Sequence, residues 1–269
     1  MITDLHRQVG TKLYDMSLHV TTSGRGPDIA LLHGWGLHSG VWKELLAYLE
    51  TRWRVTCIDL PGHGLSSTCV DLQDLDAVCA RLHEVMPLTC TWVGWSMGGL
   101  IAVAYAIRYP QSVRRLVLIA SQPRFTRAPN WPYAMPAALV DAFGGELKTN
   151  RRAALNRFLA LQSQGSDNRR CTLRRLHAVL HTRFPDADAL RAGLALLQDK
   201  DLRGESSRVA CPVRLILGEH DVIEPAESGQ AVVGLFANAS YALIAGAGHV
   251  PFISHTTAFM QVLDAYLDD

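Results

Sequence analysis

Short apolar runs recur along the chain at residues 18–21, 29–32, 55–60, 89–93, 116–120, 213–217 and 241–244. After the opening pair they alternate with stretches of helical period, among them residues 99–109. Strands that alternate with helices predict an α/β fold whose central sheet is mostly parallel and covered by helices on both faces. Between residue 121 and about residue 205 the strand pattern stops, and the segment reads as helices interrupted by prolines at 123, 129, 132, 136 and 185. Leu155, Phe158 and Leu159 share one helical face there, and Leu173, Leu176 and Leu180 share another, so packing is their first duty. The expected organisation is a core formed by residues 1–120 and 206–269, with residues 121–205 inserted as a helical lid.

Composition changes this picture little. The 269 residues are 48% hydrophobic and 19% charged, with a formal net charge of +1, enough apolar material for one sizeable soluble core. Cysteines at 57, 69, 79, 90, 171 and 211 form no Cys-x-x-Cys pair and no metal-like cluster with histidine, so reduced thiols and a cytoplasmic location are expected. Residues 1–11 carry Asp4, His6 and Arg7 without an apolar core of a leader, and no run of eighteen apolar residues exists, which argues against a membrane span. A monomer with no metal and no cofactor is the expected state.

The most informative pentapeptide is Gly94-Trp95-Ser96-Met97-Gly98, placed between an apolar run and a helical stretch. Glycines flanking a serine at a strand-turn-helix junction permit a sharp turn that holds the hydroxyl above the sheet edge. A small-residue turn ending a buried strand would carry the same letters. What favours a nucleophile is chain order, because an acid and a histidine follow after later strands. Asp221 stands just past the run 213–217, with Glu219, Glu224 and the pair Asp199/Asp201 as rivals. His249 lies in Gly246-Ala247-Gly248-His249, directly after the last strand-like run, while His255 fits the start of the terminal helix.

A serine hydroxyl needs an imidazole to take its proton, and the imidazole needs a carboxylate to fix its tautomer and stabilise its charged form. The tetrahedral oxyanion also needs two N–H donors. The residue after the nucleophile, Met97, supplies one, and the loop His33-Gly34-Trp35-Gly36 after an early strand supplies the other through Trp35. The indole rings of Trp35 and Trp95 are free to pack or to wall a pocket. The turn Asp59-Leu60-Pro61-Gly62-His63-Gly64 completes no phosphate-binding motif and reads as structural.

Charge is segregated. From residue 146 to residue 183 nine Lys/Arg stand against two Asp/Glu, net +7, which leaves −6 for the remainder. Arg151, Arg152, Arg157, Arg169, Arg170, Arg174 and Arg175 form either a solvated helical surface or a docking patch for an acidic macromolecule. Interleaved aromatics and nucleic-acid motifs are missing, and an acidic protein carrying an acyl chain suits a lid better than nucleic acid does.

From residue 29 onward the chain resembles the pimeloyl-acyl carrier protein methyl ester esterases of biotin synthesis, within the α/β-hydrolase superfamily. The resemblance rests on Leu32-His33-Gly34-Trp35-Gly36-Leu37, Asp59-Leu60-Pro61-Gly62, Gly94-Trp95-Ser96-Met97-Gly98-Gly99, Trp131-Pro132, Phe158-Leu159-Ala160-Leu161-Gln162, Asp201-Leu202-Arg203 and His249-Val250-Pro251-Phe252-Ile253-Ser254-His255. It implies Ser96, Asp221 and His249 as the triad, with Trp35 and Met97 framing the oxyanion. It further implies that Phe158, Leu159, Ala160, Leu161 and Gln162 contact substrate, that Arg151, Arg152, Arg157, Arg170 and Arg174 hold an acyl carrier protein, and that no cofactor takes part. Two departures stand out: a longer stretch before Leu18, and Met97 where leucine is also familiar. A general esterase or carbon–carbon bond hydrolase with the same triad, and a non-catalytic binding module on the same fold, stay open at this stage.

Overall fold

The computed structural model describes residues 17–268. The segment 1–11, read above for a leader, lies outside the described residues, as does the start of the expected core.

Seven strands form one sheet in the order β1-β3-β2-β4-β5-β6-β7. They are β1 (Val20–Ser23), β2 (Asp28–Leu32), β3 (Arg54–Ile58), β4 (Cys90–Trp95), β5 (Val113–Ile119), β6 (Val213–Gly218) and β7 (Ala239–Ile244). β1 runs antiparallel to β3, and every other pairing is parallel. Each apolar run in the sequence thus corresponds to a strand. Strands covered on both faces carry continuous apolar sequence, and β4 is buried at every position. β5 begins at Val113, earlier than the apolar run, because Arg114 and Arg115 precede its buried part. β3 ends at Ile58 because Asp59 turns the chain, accepting backbone N–H groups from Ser39 at 2.8 Å and Leu65 at 2.9 Å.

Helices α1 (Lys43–Leu49), α2 (Leu75–Val85) and α3 (Met97–Arg108) connect the first half of the sheet. α2 starts at Asp74, whose carboxylate accepts the Ala77 N–H at 3.0 Å, an N-cap that satisfies one of the orphan donors of the first turn. After β6 come the short α8 (Gly229–Val233), α9 (Pro251–Ser254) and α10 (Thr256–Leu267), the last entered through its N-cap His255.

Between β5 and β6 lie α4 (Ala137–Thr149), α5 (Arg151–Gln162), α6 (Arg169–Thr182) and α7 (Ala187–Asp199). The sequence reading of helices from residue 121 onward is corrected here: helix begins only at Ala137. Residues 121–136 form an irregular loop closed by bridges Thr126–Met135 and Ala128–Trp131. The closely spaced prolines deny N–H donors and push the residues before them out of helical conformation. Asn150 alone separates α4 from α5, and its side chain caps α5 by accepting the Ala153 N–H at 3.0 Å. No described helix is long and apolar enough to cross a membrane.

Candidate active site

The carboxyl ends of the parallel strands carry the candidate chemistry, the usual location of sites on such sheets. Ser96 joins β4 to α3 with φ 53° and ψ −121°, one of two non-glycine residues with positive φ among the described residues, the other being Ala120. Backbone strain of this kind persists only where the surroundings over-determine it. Here they do. A methyl group on Gly98 would fall 2.4 Å from the Leu32 carbonyl oxygen, and one on Gly94 would fall 2.5 Å from the backbone at Gly98 and Gly99. The Ser121 hydroxyl donates to the Ser96 carbonyl at 2.8 Å, fixing the turn from β5. Ser96 is 1% exposed, so the serine is covered.

Nδ1 of His249 lies 2.8 Å from Oδ2 of Asp221, both side chains being fully buried. The carboxylate's other oxygen accepts the backbone N–H groups of Ile223 at 2.8 Å and Glu224 at 3.0 Å. With four acceptor sites and no hydrogen of its own, the ionised carboxylate makes Nδ1 the protonated ring nitrogen. Nε2 then carries a lone pair, and it is buried without a partner among the described residues. The indole N–H of Trp95, beside the serine, donates to the His249 carbonyl at 2.9 Å, which ties the elbow to the histidine loop.

The rival acids are engaged elsewhere. Glu219 accepts the Gly246 N–H at 2.9 Å, and Asp201 binds Arg124 and Arg203. Asp199 ends α7. Glu224 is fully buried, and burial together with the charge of Asp221 pushes its carboxyl well above the ordinary value. The Gln122 carboxamide faces this carboxyl, yet among the described residues neither oxygen has a partner at full hydrogen-bond geometry. Gln122 is itself held by the Trp131 indole N–H at 2.9 Å.

The loop after β2 is fixed from below by two neutral imidazoles. His33 donates from Nδ1 to the Gly34 carbonyl at 2.8 Å and accepts the Leu60 N–H at Nε2, 2.9 Å. His63 donates to the Pro61 carbonyl at 3.0 Å and accepts the Gly36 N–H at 3.4 Å. Burial lowers His33 to about 3 and His63 to about 4. The Trp35 backbone N–H has no protein partner among the described residues. Met97 opens α3, where backbone N–H groups lack an intrahelical acceptor.

On α5 the helical period separates the five candidate contact residues. Phe158, Leu159 and Gln162 are buried, whereas Ala160 and Leu161 are half-buried, as expected for positions about 100° apart per residue. The Phe158 ring meets Trp35 edge-on at 4.8 Å. The Gln162 carboxamide is buried, and neither of its polar atoms has a partner among the described residues. Two residues that sequence reading did not single out, Leu190 and Gly193 of α7, touch Trp35; a glycine inside a helical run, costing about 1 kcal/mol relative to alanine, was the available signal.

The arginines do not converge. Arg151, Arg152, Arg157, Arg170 and Arg174 are exposed, but Arg157 pairs with Glu146 at 3.3 Å and lies over the Phe143 ring. Arg152 stacks on Phe184, just past the end of α6, so α5 and α6 run antiparallel. Arg151 and Arg152 therefore stand at one end of this hairpin and Arg170 at the other, about 18 Å away for a twelve-residue helix, while Arg174 lies near the middle of α6. All six cysteines are free thiols. Burial pushes Cys57, Cys79 and Cys90 up to about 12 and Cys211 to about 11, which makes them inert as nucleophiles. Among the described residues no group of three or more His, Cys, Asp or Glu could hold a metal ion.

A sequence profile of the alpha/beta hydrolase fold matches residues 29–256. The chain is 39% identical to the pimeloyl-[acyl-carrier protein] methyl ester esterase of Nitrosomonas europaea, over 93% of this chain and 99% of that one. It is 40% identical to the protein of the same name from Chromobacterium violaceum, over 94% and 99%. Among solved structures, an esterase from Exiguobacterium antarcticum superposes with a TM-score of 0.85 at 22% identity, covering 94% of this chain and 96% of that one. At that identity the likeness concerns the fold.

Proposed function

The chain belongs to the α/β-hydrolase family, among the pimeloyl-[acyl-carrier protein] methyl ester esterases, and from this we propose how its own residues hydrolyse that methyl ester. It is a carboxylic ester hydrolase: the methyl ester on the pimeloyl chain of an acyl carrier protein is cleaved to the free acid and methanol, the step that the resemblance assigns to biotin synthesis.

The observation that carries the assignment of roles is the buried, unpartnered Nε2 of His249 with Nδ1 already committed to Asp221. A ring nitrogen so prepared is a general base whose natural partner is the Ser96 hydroxyl. Ser96 Oγ attacks the ester carbonyl carbon while Nε2 takes its proton, and Asp221 stabilises the resulting imidazolium. The N–H groups of Met97 and Trp35 hold the oxyanion. Collapse returns the proton to the departing methoxide, releasing methanol and leaving the acyl chain on Ser96. Water, deprotonated by the same Nε2, then attacks the acyl-enzyme and restores the serine. Phe158, Leu159 and Trp35 offer an apolar wall to the pimeloyl methylenes, and Gln162 offers its free carboxamide to an oxygen of the substrate.

The helical insertion acts as a lid over this site, which the burial of Ser96, Asp221 and His249 supports. The exposed arginines of the α5–α6 hairpin receive the carrier protein. All groups of the site come from one chain, which supports a monomer as the working unit. Methanol release from pimeloyl-[acyl-carrier protein] methyl ester, with Ser96→Ala as control, tests the roles. Turnover should drop to the residue left by binding and oxyanion stabilisation alone, and near-normal activity in the variant would refute the assignment.

A further inference from the structure

Trp35 is gripped by the insertion as firmly as by the core. Its indole N–H donates to the Leu190 carbonyl on α7 at 2.9 Å, across 155 positions of sequence. Its ring meets Phe158 of α5 edge-on at 4.8 Å. A methyl on Gly193 would fall 2.7 Å from Cδ1 of Trp35 and 3.1 Å from the Met97 sulfur, so α7 rests on both residues proposed as oxyanion donors. Next along the loop, Gly36 adopts φ +79°, and a methyl there would fall 2.7 Å from a Leu155 methyl of α5. From the opposite side His63 accepts the Gly36 N–H.

We propose that Leu190 and Gly193 are positioning residues for the oxyanion site: α7 sets the Trp35 loop through the Leu190 carbonyl and through the close approach that the missing side chain of Gly193 allows. The inference rests on the reading of Trp35 and Met97 as the oxyanion donors. The core anchors the loop through His33, which accepts the Leu60 N–H, and through the Gly36 N–H, whereas the ring of Trp35 takes its orientation from the insertion. A lid that covers the serine therefore also completes the electrostatic machinery beneath it. Opening the lid to admit substrate releases the indole, and closing it restores donor geometry before attack. Donors act in the transition state only when preorganised at hydrogen-bond distance from the developing charge, so a displaced α7 slows chemistry without weakening ground-state binding.

Two variants and a control separate this from simple packing. Trp35→Phe keeps an aromatic ring and removes the N–H. Gly193→Ala adds one methyl, a change that ordinarily favours a helix interior. Gly145→Ala makes the same change on α4, where a methyl meets nothing within 4 Å. With a carrier-free pimeloyl ester as substrate, kcat should fall roughly ten- to hundredfold in the first two, with KM within about twofold. Affinity for an alkyl boronic acid, whose serine adduct places an oxygen in the oxyanion site, should fall in parallel with kcat. Gly145→Ala should match the parent. Folded Trp35→Phe and Gly193→Ala proteins with unchanged kcat and boronate affinity overturn the inference, as does a loss confined to KM. Labelling by a fluorophosphonate tells this failure from that of the underlying reading: if the parent's Ser96 is not labelled, the triad assignment falls; if it is labelled at equal rates in parent and variants, only the role of α7 falls.

Discussion

The indole N–H of Trp95 donates to the backbone carbonyl of His249 at 2.9 Å, joining the residue before Ser96 to the residue proposed as its general base. The two rings lie 5.9 Å apart, and Phe252 closes the same cluster at 5.4 Å from Trp95. Serine and histidine come from loops more than 150 positions apart, and their alignment depends on such ties. Trp95→Phe keeps most of the packing and deletes the donor. We expect kcat to fall about tenfold, since small misplacements of reacting groups cost rate steeply, with KM nearly unchanged. Steady-state kinetics on a small ester checks this; an unaltered kcat would mean that the histidine loop holds its place without Trp95.

Much of this arrangement is legible in the sequence because parallel strands buried on both faces write themselves as apolar runs, and the elbow and histidine loop follow those runs directly. The strained Ser96 turn is written in its glycines. Asp221 was distinguishable from Glu219 only by position, and the structure separates them by what each carboxylate accepts. Contacts across the insertion were not legible. Nothing in the letters around Leu190 states that its carbonyl meets Trp35, because that meeting depends on how α7 packs over a loop 155 residues away. The helical reading of residues 121–136 failed for a local reason, the density of prolines. The arginine count was plain in the sequence, but its spread along a helical hairpin required the antiparallel packing of α5 and α6.

Glu224 carries a cost that can be removed. Burial and the neighbouring Asp221 raise its carboxyl well above the ordinary 4.5, so the folded chain keeps a proton that the unfolded chain gives up. Above that ordinary value the unfolded state binds fewer protons, and stability falls as pH rises toward the folded value. Glu224→Gln should therefore unfold at higher urea concentration than the parent at pH 8, with the difference shrinking toward pH 4. Its kcat at pH 7 should stay within about twofold, because Asp221 remains the one anion at His249. A variant less stable than the parent at pH 8 would show that Glu224 is ionised in the folded protein.

The two imidazoles beneath the oxyanion loop act in the opposite direction. Unfolded, each binds a proton near 6.5; folded, His63 does so only near 4 and His33 near 3, because burial disfavours the charged ring. Between those values the unfolded chain holds more protons, so stability is complete above about 6.5 and is lost as pH falls toward 4. At about 1.4 kcal/mol per pKa unit, His63 alone contributes roughly 3 kcal/mol to that slope. His63→Gln, which keeps an acceptor for the Gly36 N–H and cannot titrate in this range, should be somewhat less stable at pH 7 and should lose less stability between pH 6.5 and 4.5. Urea unfolding across that range reads both effects, and an unchanged slope would assign the acid sensitivity to other groups.

Arg151 and Arg152 open α5, whereas Arg170 and Arg174 lie in the first half of α6, and the two pairs can be reversed separately. Arg151, Arg170 and Arg174 form no ion pair with a carboxylate among the described residues, and Arg152 meets only the Phe184 face, so their charge is turned outward. Arg157 is spent on Glu146 and Phe143, and its reversal should cost stability more than docking. An acidic carrier protein long enough to touch both pairs would feel each through water, where attraction is screened over about 10 Å at 0.1 M salt. Reversing Arg151 and Arg152 to Glu, or Arg170 and Arg174 to Glu, should raise KM for the carrier-linked ester roughly tenfold at low salt, and the effect should shrink at high salt. Turnover of the carrier-free ester should not change, because none of the four touches Ser96, Asp221 or His249. If both reversals leave the carrier-linked KM unaltered at low salt, the surplus charge is a solvated surface and the carrier protein docks elsewhere; if one pair matters and the other does not, the carrier's acidic face sits over that pair.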